Sequence, residues 1–360
     1  MHLDWLQIKR VRNLSDVHIE AIPQINLITG ENASGKTAIL ESIYLLARAR
    51  SFRTPRIQEV IKKGDKALQV TACIIDSLAG RTTLGIEKGR GQMTLRNNGT
   101  TVKTVSEQAK NLPLVLITPD THLLVTGTPK QRRHWLDWAM FHVEQRYLED
   151  WRSYFKALRH RNALLKAGKM SNTLYESWEK TMVETGVRLQ KARESFIQKV
   201  QKTANPLLNK VFPGFFEIKY NLGVSGDEEQ FSAYLMNERA KDRVYGFTGQ
   251  GPHRTDLDFI YENERVAATF SRGQLKLFIS VLVLSEAKVL ASLIGESPII
   301  LIDDYSAELD IKASEYLLSI LNEGPFQVFL TTIGEPRQSS VFDSAAVFHV
   351  EHGEVQKVVK

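Results

Sequence analysis

The sequence Gly30-Glu31-Asn32-Ala33-Ser34-Gly35-Lys36-Thr37 matches GxxxxGK[ST], the pattern of a phosphate-binding loop. The apolar segment Gln24–Thr29 before it is typical of a buried strand, and Ala38–Ala47 after it has the apolar spacing of a helix. The pattern requires this order, because backbone N–H groups and a helix N-terminus then surround one phosphate. The stretch therefore predicts an α/β fold that binds a nucleotide.

Two side chains of this loop have separate expected tasks. Lys36 places a positive charge at the β- and γ-phosphates, and the hydroxyl of Thr37 ligates Mg²⁺. The other residues supply backbone N–H groups that surround the phosphates. All eight residues of the loop are therefore candidates for nucleotide binding.

The composition is that of a soluble globular protein. The chain has 360 residues, of which 42% are hydrophobic and 24% charged, enough for two domains or for one α/β domain with an insertion. The single cysteine, Cys73, excludes an intramolecular disulfide. No secretory signal is visible, and the apolar run Leu275–Ile294 contains charged residues, so we expect a buried helix. These features predict a cytoplasmic protein without a membrane partner.

Basic residues are unevenly distributed along the chain. The net charge is +6, but residues 121–210 contain 17 Lys and Arg against 8 Asp and Glu, a local charge of +9. The rest of the chain is therefore at −3. This asymmetry is typical of a basic nucleic-acid-binding surface attached to a nearly neutral core. The alternative is a solvated helical face that has no partner.

The hydrophobic periodicity divides the chain into an α/β core and a helical insertion. Short strands dominate the first part, whereas Pro129–His160 and Ser177–Ala204 have the 3.6-residue period of long helices. We predict a head formed by residues 1–120 and 211–360, interrupted by a helical arm at 121–210. Six aromatic residues are expected to fill the core of the arm rather than to stack on bases: Trp135, Trp138, Phe141, Trp151, Phe155 and Trp178.

A second apolar run, Pro298–Asp304, ends in the acidic pair Asp303 and Asp304. A buried parallel strand delivers such carboxylates at its carboxyl end, where ligands bind in open α/β sheets. Asp303 is expected to hold Mg²⁺ through a water molecule, opposite Thr37. Asp304 is expected to orient or deprotonate the attacking water. Both acids are therefore catalytic candidates.

A signature-like motif precedes this strand. It resembles the LSGGQ signature of ABC-type ATPases, in which a Ser hydroxyl, a glycine N–H and a helix N-terminus form a second anion site. In that class the second site reaches the γ-phosphate that is bound to the other subunit of a head-to-tail dimer. An ordinary helix N-cap is the alternative. The motif consists of Ser271, Arg272, Gly273 and Gln274.

The residues after the acidic pair resemble the D-loop, which crosses the same dimer interface in ABC-type ATPases. The spacing between the two phosphate motifs separates the branches of this class. Lys36 and Ser271 lie 235 residues apart, which is more than in transporter subunits and less than in SMC proteins with their long coiled coils. An insertion of intermediate length suits a short arm. The D-loop candidates are Ser306, Glu308 and Asp310.

Seven stretches carry a finer resemblance to a known family: Arg12-Asn13-Leu14, Gly30–Thr37, Ala49–Arg53, Pro129–Arg133, Gly251–Asp256, Phe270–Lys276 and Leu301–Asp310. They make the chain similar to the RecF family from near residue 10 to residue 310. The matches occur in the same order as in the family and cover most of the chain.

The resemblance implies an ABC-ATPase-like P-loop head of mixed sheets and helices, interrupted by a helical arm. It implies ATP and Mg²⁺ as cofactors and a homodimer that forms on ATP. It also implies binding to single-strand gaps and to junctions of single- and double-stranded DNA, and loading of RecA together with RecR and RecO. Roles in replication fork maintenance and in the SOS response belong to the same expectation.

Several residues depart from the ABC pattern. Phe270 replaces the usual leucine, Thr331 and Thr332 follow the last core strand where transporters have a histidine, and Asp304 replaces a glutamate. No glutamine follows Leu114–Ile117 at the usual Q-loop position. The missing histidine and the shorter carboxylate predict a slow ATPase. For a member of a DNA-binding family, we expect DNA to stimulate this weak activity. The alternatives are an ATP-gated DNA clamp without meaningful turnover and a generic ABC-type ATPase subunit.

Five further residues are candidates with two readings each. Arg12 and Asn13 either approach the nucleotide or only shape a strand-to-turn junction. Lys130, Arg132 and Arg133 either contact DNA phosphates or are ordinary solvated charges at the start of a helix.

Overall fold

The computed structural model describes residues 1–76, 80–144, 146–167, 172–224, 226–334 and 339–358. The chain divides into two compact units, one formed by Met1–Thr121 with Ser271–Lys360 and the other by His122–Phe270. We call them the head and the insertion unit.

Within the described residues the chain forms fifteen strands and eleven α-helices. The strands are β1 (His2–Val11), β2 (Leu14–Glu20), β3 (Ile25–Thr29), β4 (Ala67–Asp76), β5 (Gly80–Gly89), β6 (Met93–Asn97), β7 (Thr100–Val102), β8 (Leu114–Ile117), β9 (Phe216–Asn221), β10 (Asp256–Tyr261), β11 (Glu264–Arg265), β12 (Ile299–Ile302), β13 (Val328–Thr331), β14 (Ala346–Glu351) and β15 (Glu354–Val358). The helices are α1 (Lys36–Arg48), α2 (Val105–Lys110), α3 (Leu123–Thr126), α4 (Pro129–Val143), α5 (Tyr147–Lys166), α6 (Asn172–Asn209), α7 (Glu228–Asn237), α8 (Arg239–Tyr245), α9 (Val266–Thr269), α10 (Arg272–Ile294) and α11 (Ile311–Glu323).

One sheet of the head is almost entirely parallel and carries the nucleotide motifs. Its strand order is β15-β14-β3-β13-β12-β8, and every pair except β14 with β15 is parallel. All residues of β3, β12 and β13 are buried, as expected of strands covered on both faces. This arrangement confirms the α/β class predicted from the sequence.

The second sheet of the head is antiparallel and has the order β2-β1-β4-β5-β6-β7. Its apolar face shares one core with α1 and with the parallel sheet. The turn between β6 and β7 has Asn98 and Gly99 both at positive φ (48° and 80°), the backbone of a two-residue hairpin turn.

The most apolar helix of the head is α10. It is long and apolar enough to cross a membrane by length and composition, but 72% of its most apolar window is buried inside the protein. The prediction of a buried helix rather than a membrane span is therefore confirmed.

The insertion unit differs in two ways from the predicted arm. The helix expected over Pro129–His160 is interrupted, because Glu144 is extended (φ −117°, ψ 109°) and ends α4. The predicted boundary after residue 210 lies inside this unit, which continues to Phe270. The physical reason is that β9, β10 and β11 pair only with one another among the described residues, and that β9 packs on α6 and β10 on α4.

This later boundary changes the charge distribution. Residues 211–270 contain 6 Lys and Arg against 10 Asp and Glu, so residues 122–270 carry 23 basic against 18 acidic residues, a charge of +5. The remaining residues are at +1. The insertion unit is therefore basic, but less so than the stretch 121–210 alone.

The aromatic residues predicted to fill the arm are half-buried instead. The indole N–H of Trp151, for example, donates to Asp137 at 3.0 Å at the edge of the core. Two fully buried arginines occupy the interior: Arg161 pairs with Glu179 and Asp242, and Arg193 pairs with Asp137. The larger apolar and phenolic side chains of this core are Tyr147, Tyr154, Tyr175, Phe196 and Phe231.

Candidate nucleotide site

The parallel sheet brings the phosphate loop and the acidic pair to the same edge. β13 lies between β3 and β12, with Leu330 opposite both Leu27 and Ile302. The loop after β3 and the acids after β12 therefore leave the sheet at the same level, where α/β folds bind ligands.

The phosphate loop has a backbone that only glycine tolerates at two positions. Gly30 has φ 144° and Gly35 has φ 125°. A Cβ atom at Gly30 would lie 2.2 Å from the carbonyl oxygen of Val350, and one at Gly35 would lie 2.9 Å from Leu14 Cδ2. The following helix α1 has no side-chain N-cap, so the N–H groups of its first turn remain available to an anion.

Lys36 and Ser34 both fit a bound phosphate. The ammonium of Lys36 is buried and donates to the carbonyl oxygens of Gly30 and Glu31, at 2.8 Å each. An ammonium has three donors, so one remains for a phosphate oxygen. Burial lowers the pKa of Lys36, and Asp304, Asp303 and Glu31 partly offset that shift. Ser34 Oγ is buried in the loop and has no hydrogen-bond partner among the described residues.

The Mg²⁺ candidates are already in contact. The Thr37 hydroxyl donates to Asp303 Oδ1 at 2.9 Å, and the Thr331 hydroxyl donates to the same oxygen at 2.8 Å. Hydroxyl and carboxylate oxygens are the kind of ligand that Mg²⁺ prefers in proteins, bound directly or through water. The hydroxyl of Thr37 and the carboxylate of Asp303 therefore fit the ion, which would neutralise charge on the phosphates when bound.

Arg12 and Asn13 contact α1 and the phosphate loop, respectively. Arg12 forms a bidentate ion pair with Glu41 of α1 (2.8 and 2.9 Å), and Glu41 is fully buried. This hydrogen bond raises the pKa of Arg12. Asn13 Nδ2 donates to the carbonyl oxygens of Ser34 (2.7 Å) and Ala33 (3.3 Å). These contacts favour the reading in which both residues shape the loop.

The backbone of Asp304 is held at both ends in a left-handed conformation (φ 52°). Its N–H donates to Thr331 Oγ1 at 2.8 Å, and its carbonyl oxygen accepts from Lys276 Nζ at 3.0 Å. Lys276 is buried in α10 and also donates to the carbonyl oxygen of Ala307. Burial lowers the pKa of Lys276, while Asp304 and Glu308 act in the opposite direction.

The signature motif forms the N-terminus of α10. Ser271 Oγ accepts from the Gln274 N–H (3.4 Å), and Gln274 Oε1 accepts from the Ser271 N–H (2.9 Å), a capping box. The N-cap alternative is therefore present, but it leaves the serine proton free to be donated to a ligand. Ser271, Arg272 and Gln274 are exposed, although α10 is buried from Leu275 to Ala287.

The D-loop candidates have different surroundings. Ser306 Oγ lies 3.4 Å from Thr332 Oγ1, and Asp310 caps α11 by accepting from the Ala313 N–H at 2.7 Å. Glu308 is exposed at φ 64°, and its carbonyl oxygen lies 2.9 Å from the position of a Cβ atom at Gly273. Only glycine allows this approach of the signature motif to the loop.

The three candidates for DNA contact differ in exposure and in their hydrogen bonds. Arg132 is 8% exposed and forms a bidentate ion pair with Asp256 (2.6 and 3.0 Å), so it stabilises the insertion unit instead of facing a ligand. Arg133 is half-buried and donates to the Thr255 carbonyl oxygen at 2.7 Å. Lys130 is exposed. Only Lys130 thus has the exposure that a phosphate contact requires.

Sequence reasoning missed several residues of this region. Glu41 has an ordinary sequence context, and Thr331 is expected from the sequence only as the replacement of a histidine and not as a partner of Asp303. Lys276 interrupts an apolar helix and could have been recognised by that signal. A basic cavity of about 710 Å³ on the head was also missed. Its basic lining residues are Lys62, Lys63, Lys66 and Arg90.

Comparison with known proteins gives a consistent result. The family described as RecF/RecN/SMC N terminal domain matches residues 2–356. A protein of Nitrosococcus oceani named DNA replication and repair protein RecF is 34% identical over an alignment of 367 positions, which covers 100% of both chains. A protein of the same name from Pseudomonas paraeruginosa is 33% identical over 99% of this chain and 98% of its own length.

Solved structures agree with these sequence matches. A structure described as the recombination mediator protein RecF-ATP in the RecFOR pathway has a TM-score of 0.89 at 26% identity, covering 99% of this chain and 98% of that chain. An SMC head bound to the C-winged helix domain of ScpA has a TM-score of 0.59 at 14% identity, over 99% and 98% of the two chains. The second likeness shows the fold alone.

Asn13→Ala should weaken nucleotide binding through the loop. Losing the two hydrogen bonds to Ala33 and Ser34 should cost about 1 kcal/mol, roughly a fivefold rise in Kd. Titration calorimetry should give equal losses for ADP and for pyrophosphate, with Asn111→Ala unchanged as control. A loss for ADP with none for pyrophosphate would instead indicate contact with the nucleoside.

Proposed function

The chain belongs to the RecF family of the RecF/RecN/SMC proteins, and we propose that it is an ATP-controlled DNA-binding protein of recombinational repair. One observation carries the ATP-controlled part of this proposal. The signature motif is the exposed N-terminal end of a helix that is buried from Leu275 to Ala287, and it offers a serine hydroxyl and helix N–H groups to the surface. Such a group fits a phosphate that another molecule brings.

The other molecule is a second copy of this chain. Each copy would hold ATP at Lys36 and Thr37 and present Ser271 and Gly273 to the nucleotide of its partner. A homodimer with two shared sites then forms only when ATP supplies the γ-phosphate, because ADP lacks the group that both copies contact. Support comes from the exposed signature motif and from the D-loop residue Glu308, which is exposed beside it.

Hydrolysis would use the residues at the end of β12. Asp303 and Thr37 hold Mg²⁺, which neutralises phosphate charge, and Lys36 adds a second positive charge. Asp304 orients the attacking water or accepts its proton. The hydroxyls of Thr331 and Thr332 occupy the region where transporters use a histidine, so we expect slow turnover that ends the ATP-held state. DNA would stimulate this turnover.

The proposed ligand of the dimer is DNA at single-strand gaps and at junctions of single- and double-stranded DNA. The insertion unit carries a charge of +5, and the head has a cavity with three lysines and an arginine. Both surfaces suit a phosphate backbone. By analogy with the RecF proteins of the RecFOR pathway, the partners would be RecR, RecO and RecA, and the place of action the cytoplasm. Roles in replication fork maintenance and the SOS response belong to the same proposal.

The first expected outcome concerns the dimer. Sedimentation velocity should show a dimer with ATP and a monomer with ADP, and Lys36→Arg should weaken the ATP response. Ser271→Glu should bind nucleotide normally but stay monomeric, since its carboxylate repels the γ-phosphate of the partner. Ser271→Asn retains an N-cap without the charge and should dimerise better than Ser271→Glu. A wild type that stays monomeric with ATP contradicts the shared site.

The second expected outcome separates an enzyme from a clamp. Asp304→Asn should lower phosphate release by about 10² or more while the ATP dimer is retained, because the general base is lost. Asp343→Asn, at an exposed position of the head outside the basic cavity, is the control. If DNA is released at the same rate with and without Asp304, the ATP-gated clamp is the better description.

The third expected outcome concerns the DNA surface. Affinity for gapped DNA should fall at least about tenfold between roughly 50 and 200 mM salt. Lys130→Glu and the double variant Lys63→Glu, Lys66→Glu should each weaken binding and flatten the salt slope. Lys110→Glu makes the same charge change at an exposed site on α2 and should have a smaller effect. A flat salt response would favour a generic ABC-type subunit.

A further inference from the structure

Lys276 is an unusual residue for its position. It lies in α10, whose residues from Leu275 to Ala287 are all buried, and only 8% of its surface is exposed. A buried ammonium is unfavourable unless it is hydrogen-bonded, so its contacts are expected to have a specific purpose.

Within the part of the chain that the structure describes, the hydrogen bonds of the Lys276 side chain go to one loop. Its ammonium donates to the carbonyl oxygens of Asp304 and Ala307, in the segment between β12 and α11. Asp304 and Glu308 in this loop both have left-handed backbones, which residues other than glycine rarely adopt. The loop therefore requires fixed partners to keep its conformation.

The same face of α10 touches the loop one turn earlier. Gly273 lies three residues before Lys276, so both residues face the same side of the helix. The carbonyl oxygen of Glu308 approaches Gly273 so closely that a Cβ atom there would be 2.9 Å away. The start of α10 thus contacts the loop at two points. Gly273 lies against Glu308, and Lys276 binds Asp304 and Ala307.

These contacts join two groups that act on different nucleotides. Ser271 and Gly273 would face the nucleotide of a second copy, whereas Asp304 would act on the nucleotide of its own chain. The peptide groups of Asp304 are held on one side by Thr331 of β13 and on the other by Lys276. A movement of the signature turn would therefore be transmitted to Asp304 through Lys276.

We propose that Lys276 is a positioning residue that couples the signature motif to the loop of Asp304, so that engagement of one nucleotide fixes the water-activating carboxylate at the other. This inference rests on the proposed function. Among the described residues, the hydrogen bonds of the Lys276 ammonium go to backbone carbonyl oxygens, so its part is to hold the loop and not to carry out the chemical step. Its role is to hold Asp304 in the conformation that a seated signature motif requires.

The kinetic test compares Lys276→Met, which has a similar length without charge, with Lys276→Arg. Lys276→Met should lower kcat for ATP at least tenfold, while the Kd for ADP stays within twofold and the ATP dimer still forms. Lys276→Arg should recover most of kcat. Lys288→Met, a lysine on the same helix, is the control and should leave kcat unchanged. A merely structural lysine would lower nucleotide affinity and turnover together.

Amide hydrogen exchange tests the same proposal without turnover. In the nucleotide-free protein, Lys276→Met should speed exchange of the Asp304, Tyr305 and Ala307 amides at least tenfold, and Lys288→Met should not. Unchanged exchange, or a kcat for Lys276→Met within twofold of wild type, would overturn the coupling. The wild type could fail to dimerise with ATP or to hydrolyse it while Lys276→Met still speeds exchange of these amides. That result would refute the proposed function and leave Lys276 only as the residue that holds the loop.

Discussion

The head depends on the hydrogen bonds that Asp303 forms with its carboxylate and with its backbone N–H. One carboxylate oxygen accepts from Thr37 of α1 and from Thr331 of β13, and the backbone N–H donates to Ile117 at the end of β8. Four elements that are distant in sequence therefore meet at a single residue. Because the strands between them are parallel and in register, a shift of any one strand would separate the phosphate loop from its metal ligand. Thr331 extends the arrangement to Asp304, whose N–H it accepts.

The sequence predicts those parts of the molecule that depend on local order. The phosphate loop, β3 before it, α1 after it and β12 before the acidic pair lie where the pattern places them, because strand, loop and helix signals act over a few residues. It does not predict contacts between distant residues. Arg132 pairs with Asp256, 124 residues later, and no periodicity reveals that pairing. The six aromatic residues of the arm have a helical spacing, but spacing does not distinguish a core position from a half-buried one.

The basic character of the insertion shows the same limitation in terms of charge. Several of its arginines neutralise acids within the unit, among them Arg132, Arg161 and Arg193. Two of the acidic partners, Asp242 and Asp256, lie beyond residue 210, outside the strongly basic stretch 121–210. Buried pairs of this kind contribute specificity of packing and little long-range field. Charge counted along a sequence segment therefore overstates what a ligand at the surface would meet.

The position of β3 determines the order in which the head can be completed. Its neighbours in the sheet are β13 and β14, and the loop that follows it is closed by a bond from the Gly353 N–H to the Ser34 carbonyl oxygen (3.0 Å). All three partners are synthesised after the insertion unit, whose residues 122–270 are contiguous. On the ribosome, the insertion unit can thus fold before β13 and β14, which complete the sheet beside the phosphate loop, have been synthesised. A nascent chain acquires a nucleotide site only when nearly all of it has emerged.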